Sequence, residues 1–163
     1  GYTYGAFGRF RRLRQAGYFA IRSNVKTETT GASIKEIFLE LAALCDERPL
    51  TENERDESVD GLILGYPLSF DQVSSMGRRL VSLPVHNRRA DYWKSWPLEI
   101  SKISTARANI AAAPYCNAKR YSIIIAGDQA TVTPQLEKLG LEVTALNRDG
   151  LPFPALKQTK FKK

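Results

Sequence analysis

Tyr121-Ser122-Ile123-Ile124-Ile125-Ala126, followed by Gly127-Asp128, is the stretch on which the fold reading turns. Its centre is β-branched and it carries no charge, the pattern of a strand covered on both faces in the middle of a sheet. Gly127-Asp128 breaks it, and an Asx-type turn accounts for that pair. Downstream, Thr133 and Pro134 suit the cap and first turn of a short helix with Leu136 and Leu139, and Gly140 stops it. Leu141-Glu142-Val143-Thr144-Ala145-Leu146 then alternates as a final strand.

Upstream of this sheet-forming end lies a run of helices. Ser33 with Glu36, Thr51 with Glu54 and Ser69 with Gln72 each have capping-box spacing, in which two side chains reciprocally satisfy free backbone N–H groups. Apolar stripes follow each: Ile34, Ile37, Phe38, Leu41 and Leu44; then Val59, Leu62, Ile63 and Tyr66; then Phe70, Val73, Met76, Leu80 and Leu83. Pro49, Pro67 and Pro84 fall where these helices should stop. A fourth helical stretch from about residue 90 carries Tyr92, Trp93 and Trp96, with Pro97 predicted to interrupt it. Ser104 caps a short last helix ending before Pro114.

The chain opens with two period-two segments. Tyr2, Tyr4, Ala6, Gly8 and Phe10 share one face, and Phe19, Ile21 and Val25 alternate with Ala20, Arg22 and Asn24 after a turn at Gln15-Ala16-Gly17. Gly1, Gly5 and Gly8 weaken the first strand and leave room for another backbone or a ligand. Two strands, helices, strand, helix, strand is the order of an α+β domain: a mixed, mainly antiparallel sheet with helices packed on one face. A doubly wound nucleotide fold would alternate from the start.

The inventory of reactive groups excludes most catalysis. The sequence has a single histidine, His86, and two cysteines, Cys45 and Cys116, without C-x-x-C spacing. A hydrolytic zinc site needs about three protein ligands, so none is expected here. No G-x-S-x-G turn is present, and Gly61-Leu62-Ile63-Leu64-Gly65 lacks the Lys-Ser/Thr of a phosphate loop. The carboxylates from Asp46 to Asp60 read as a solvated helix start, where the helix dipole favours negative charge. A Cys45–Cys116 disulfide and a buried thiol both fit; the apolar stripe before Cys45 favours the thiol.

The net charge of +7 sits in three groups: Arg9, Arg11, Arg12 and Arg14; Arg78, Arg79, Arg88 and Arg89; and Lys157, Lys160, Lys162 and Lys163. No nucleic-acid motif accompanies them, which leaves a nucleic-acid-binding module as the weakest of three functional readings. No apolar run approaches the roughly 18 residues of a membrane span. The expected division is one domain over residues 1–154 and a basic, disordered tail over 155–163. The opening residues look like the inside of a strand, as in a chain that continues upstream.

Several segments, in order, resemble the C-terminal half of the pitrilysin/insulinase-type zinc metallopeptidases, the family of the mitochondrial processing peptidase subunits and their bacterial relatives. Gly1-Tyr2-Thr3-Tyr4 looks like its Gly-x-x-Tyr strand, and Pro49-Leu50-Thr51-Glu52-Asn53-Glu54 like its P-L-T-x-x-E helix start. Gly65 to Asp71, Asp91 to Pro97 and Ile100 to Ser104 resemble the succeeding segments, and Ile123 to Asp128 the V-V-V-G-D strand. The resemblance implies a clamshell whose other half carries zinc in an H-x-x-E-H site. This chain would be the non-catalytic, substrate-binding half, with no cofactor of its own, closing over a peptide substrate held by a catalytic domain or partner subunit. By resemblance the substrate-binding residue is Tyr4, its phenol donating to the scissile carbonyl or oxyanion; the arginine that accompanies it would precede Gly1. A structural or assembly subunit without peptidase role is the alternative. Exported bacterial relatives imply a periplasmic rather than cytoplasmic setting.

Overall fold

The computed structural model describes residues 3–152, with side chains from residue 5 onward. It begins with a hairpin, β1 (Thr3–Arg12) and β2 (Gly17–Val25), which forms a two-stranded antiparallel sheet. The Leu13 N–H donates to the Ala16 carbonyl at 2.8 Å, so the turn centres on Arg14-Gln15, earlier than the glycine-containing stretch predicted. The space beside Gly8 is taken by the chain's own Phe19. A Cβ there would stand 3.1 Å from that ring.

The helices are α1 (Thr30–Cys45), α2 (Glu52–Leu64), α3 (Val73–Val85), α4 (Tyr92–Ser101), α5 (Thr105–Ala112) and α6 (Gln129–Glu137). Four predicted caps fare differently. Thr51 and Glu54 form the full capping box at the start of α2, a device worth about 1 kcal/mol. Ser104 caps α5 by accepting from the Arg107 N–H at 3.2 Å. Ser33 is no cap: α1 starts three residues earlier, and the Ser33 hydroxyl donates back to the Thr29 carbonyl at 2.9 Å. Nor is Ser69, whose hydroxyl donates to Tyr66 inside a 3-10 turn over Pro67–Phe70, leaving Gln72 as the uncapped start of α3. In both cases a hydroxyl satisfied a carbonyl one turn back in place of the N–H ahead.

The chain divides into two compact units, and the hairpin and α1 contribute residues to each. In the first (described residues 3–6, 23–37 and 122–152), the turn from Thr27 into α1 meets α6. Gln135 spans it: its amide oxygen accepts from the Gly31 N–H at 3.0 Å, and its NH2 donates to the Thr27 carbonyl at 2.8 Å. Thr30, Val132 and Leu136 are buried here, the last two being the buried apolar side chains among the described residues. Asp128 caps α6, so this helix begins well before Thr133 and Pro134, which fall within it. Past its end Gly140 takes φ 72°, and the Leu141 N–H returns to the Leu136 carbonyl at 3.1 Å, the close of a Schellman turn.

In the second unit (residues 7–22 and 38–121) α2 and α4 pack together. Arg55 of α2 donates to the carbonyls of Ser101 and Ile103, where α4 has run out of N–H partners. Asn109 of α5 brackets Leu50, accepting from its N–H at 3.0 Å and donating to its carbonyl at 3.1 Å.

The predicted central strand is not formed. Residues 121–126 run without strand structure, and Ile124 is 90% exposed. Residues 141–146 keep the expected alternation, with Leu141, Val143 and Ala145 half-buried, yet form only an isolated bridge between Leu146 and Pro152. A strand exists by pairing, and among the described residues β1 and β2 pair only with each other. The α+β class stands, mostly helical and with a much smaller sheet than expected. The proposed tail over 155–163 lies outside the described residues.

Candidate functional site

Tyr4 falls on β1, and its side chain is outside the described residues. Among the described residues no group of three or more His, Cys, Asp or Glu is placed to hold a metal ion. The acidic run reads structurally: Glu54 completes the α2 capping box, and Asp56 pairs with Arg55 at 2.5 Å. Hydrogen bonds from the Thr51 backbone and hydroxyl hold the Glu54 carboxyl below the usual carboxylate range. Those from the hydroxyl and backbone N–H of Thr131 do the same for Asp128.

Cys45 and Cys116 are joined in a disulfide with Cα atoms 6.2 Å apart, against the expectation of a thiol. The bridge ties the end of α1 to the segment just after α5. An apolar stripe before a cysteine shows which face of a helix is inward, not whether a second cysteine meets it there.

The aromatic residues of the helical run converge around Arg79. Its guanidinium carbon lies 4.3 Å from the Trp93 ring centroid, 4.7 Å from Phe70 and 5.4 Å from Tyr66. Tyr66 stacks on Trp96 with centroids 4.9 Å apart, and the Trp93 indole N–H donates to the Arg79 carbonyl at 3.1 Å. Burial pushes the Tyr66 phenol up, opposed by the neighbouring Arg79 charge. Arg79 is thus held by its own chain, and Arg89 pairs with Asp91 at 2.6 Å.

Arg11, Arg12, Arg14 and Arg88 come together elsewhere. A cleft of about 1010 Å³ opens between the tip of the hairpin, the end of α3 and the end of α5. Arg11, Arg12 and Arg14 line it from the hairpin, and His86 and Arg88 from the end of α3. Its aromatic lining is Phe10, Tyr18 and Tyr115, with Phe10 and Tyr115 edge to face at 4.9 Å. The end of α3 is placed by Asn87, which adopts φ 49° so that the Arg88 N–H can return to the Leu83 carbonyl at 2.7 Å. Arg88 then rests over the Tyr92 ring at 4.6 Å. Among the described residues no carboxylate lines the cleft, and Arg11, Arg12 and Arg14 have no acidic partner. Sequence reasoning saw two separate basic groups; an asparagine in helix-stop position after Pro84 was the available sign that the second group turns back.

No family model, curated protein or solved structure matches the chain.

Proposed function

We propose that the chain is a non-catalytic, peptide-binding domain that works with a second domain or subunit, and that this partner is a zinc peptidase of the pitrilysin/insulinase type. The observation that carries the reading is the amount of apolar surface without a counterpart. Leu64, Val73, Ile110 and Ile124 are each more than three-quarters exposed, and the backbone N–H groups of residues 122–127 have no acceptor among the described residues. In this reading a second chain or domain covers these residues and pairs with that segment. A clamshell half supplies its partner with one wall of a peptide chamber, and Tyr4 on β1 is the group proposed to touch the scissile carbonyl there. The zinc belongs to the partner's H-x-x-E-H site. The Cys45–Cys116 bridge suits an oxidising compartment such as the periplasm.

The test is reconstitution. The purified chain alone should cleave no peptide, with or without zinc, and should raise peptide hydrolysis when combined with its H-x-x-E-H domain. Tyr4→Phe should lower turnover in that complex without changing the melting temperature of the chain. Zinc-dependent cleavage by the chain alone would refute the reading. A complex that forms with no gain in hydrolysis would make the chain a structural subunit.

A further inference from the structure

We propose that the arginine-lined cleft between the hairpin tip and the end of α3 binds an acidic peptide segment, its Asp and Glu carboxylates pairing with Arg11, Arg12, Arg14 and Arg88. The proposal rests on the peptide-binding reading above and names the class of peptide.

Four arginines and a histidine line this cleft, and among the described residues no acid lines it with them. Like charges held together raise the energy of the empty site and favour an anionic occupant. Guanidinium groups meet carboxylates through two parallel N–H donors, which gives orientation as well as attraction. The rings of Phe10, Tyr18 and Tyr115 supply apolar wall for side-chain methylenes between the carboxylates. Tyr18 is 54% exposed and Phe10 is 57% exposed, so this surface is open to a ligand.

Arginines and rings also suit single-stranded nucleic acid. The sheet decides for a peptide. Among the described residues β1 and β2 pair only with each other, and the cleft-lining residues 10–12 and 17–18 lie on the two edges of that sheet, next to its turn. A polypeptide can add to such an edge as a further strand, and a nucleic acid cannot.

The probe is a fluorescein-labelled oligo-glutamate peptide, titrated into the full 163-residue chain with its disulfide intact and followed by anisotropy. Saturable binding is expected, with none for a neutral Gly-Ser peptide of the same length. The double variant R12E/R14E should weaken it at least about tenfold, as loss of two charge-assisted contacts predicts. R78E/K94E makes the same change in net charge outside the cleft and should leave affinity within about twofold, as expected of distant, screened charges. R12Q/R14Q, with an unchanged circular dichroism melt, covers the case in which the reversed charges impair folding. No binding, or equal losses in the two double variants, overturns the proposal. So does oligothymidine binding more tightly than oligo-glutamate and losing affinity in R12E/R14E. Failure here is distinct from failure of the peptidase reading: hydrolysis by the reconstituted complex that is unchanged in R12E/R14E removes the cleft and leaves the clamshell half standing.

Discussion

The Tyr66 hydroxyl donates to the backbone carbonyl of Trp93. That oxygen would ordinarily accept from the N–H four residues on, but the residue there is Pro97, which has none. A proline predicted to interrupt α4 is tolerated within it because a phenol from outside the helix supplies the missing donor. The stacking of Tyr66 on Trp96 holds the phenol in place.

Tyr66→Phe keeps the ring and removes the donor. The expected loss is about 1–2 kcal/mol of stability, since a part-buried carbonyl loses its partner. Denaturant melts of the wild type and variant measure it. The phenol's raised pKa sets the pH dependence. The native state holds the Tyr66 proton more tightly than the unfolded chain, so its contribution is complete below the ordinary phenol range and declines above about pH 10. Wild type should lose stability in that alkaline window more steeply than Tyr66→Phe; parallel profiles would show that the phenol does not carry this dependence.

At acid pH the caps of α2 and α6 give the opposite sign. Glu54 and Asp128 both have carboxyls held below their usual values. Their contribution is present above the ordinary carboxylate range, near pH 4–5, and is lost as pH falls through the lowered values. Wild type should therefore be flat from about pH 5 to 7 and weaken below about 4. In the double variant Glu54→Gln/Asp128→Asn the acid limb should be shallower. An unchanged acid limb would assign it to other carboxylates.

How much of this could be read beforehand depended on the range of each interaction. The Thr51–Glu54 box and the Ser104 cap need only residues three apart, and Gly140 needs only its own φ; all three were legible. The hairpin was legible from alternation, with its turn misplaced. The capping-box spacing at Ser33 and Ser69 misled because the same hydroxyl can bond backwards, and spacing does not choose the direction. The stretch from Tyr121 to Ala126 has every local mark of a strand and, among the described residues, no neighbour that would make it one. The disulfide, the Arg79 ring cluster and the arginine cleft join residues far apart in the chain, and no local pattern pairs them.

The Cys45–Cys116 bridge closes a loop across a separation of 71 residues. By the loop-entropy argument such a crosslink stabilises by about 4 kcal/mol, and by less where the unfolded chain retains structure. Reduction, or the Cys45→Ser/Cys116→Ser pair of substitutions, should lower the melting temperature of the α2–α5 region markedly. Mass spectrometry of the peptic digest should find the two cysteines linked. Two free thiols in protein purified without reductant would rule the bridge out.

Ile124 separates stability from association. Its side chain is 90% exposed, and no described residue accepts from the backbone N–H groups of Ser122–Gly127. Ile124→Asp should therefore change the stability of the isolated chain by no more than about 0.5 kcal/mol, as at any exposed site without partners. In the complex with a completing domain the same segment is proposed to pair, and there the buried charge should cost several kcal/mol and prevent assembly. Amide hydrogen exchange gives an independent reading: Ser122–Gly127 should exchange rapidly in the isolated chain while the middle of α2 is protected, and should become protected on complex formation. If Ile124→Asp destabilises the isolated chain as much as a core substitution, or if these amides are already slow, the segment is paired within the chain itself and the partner-completed face does not exist.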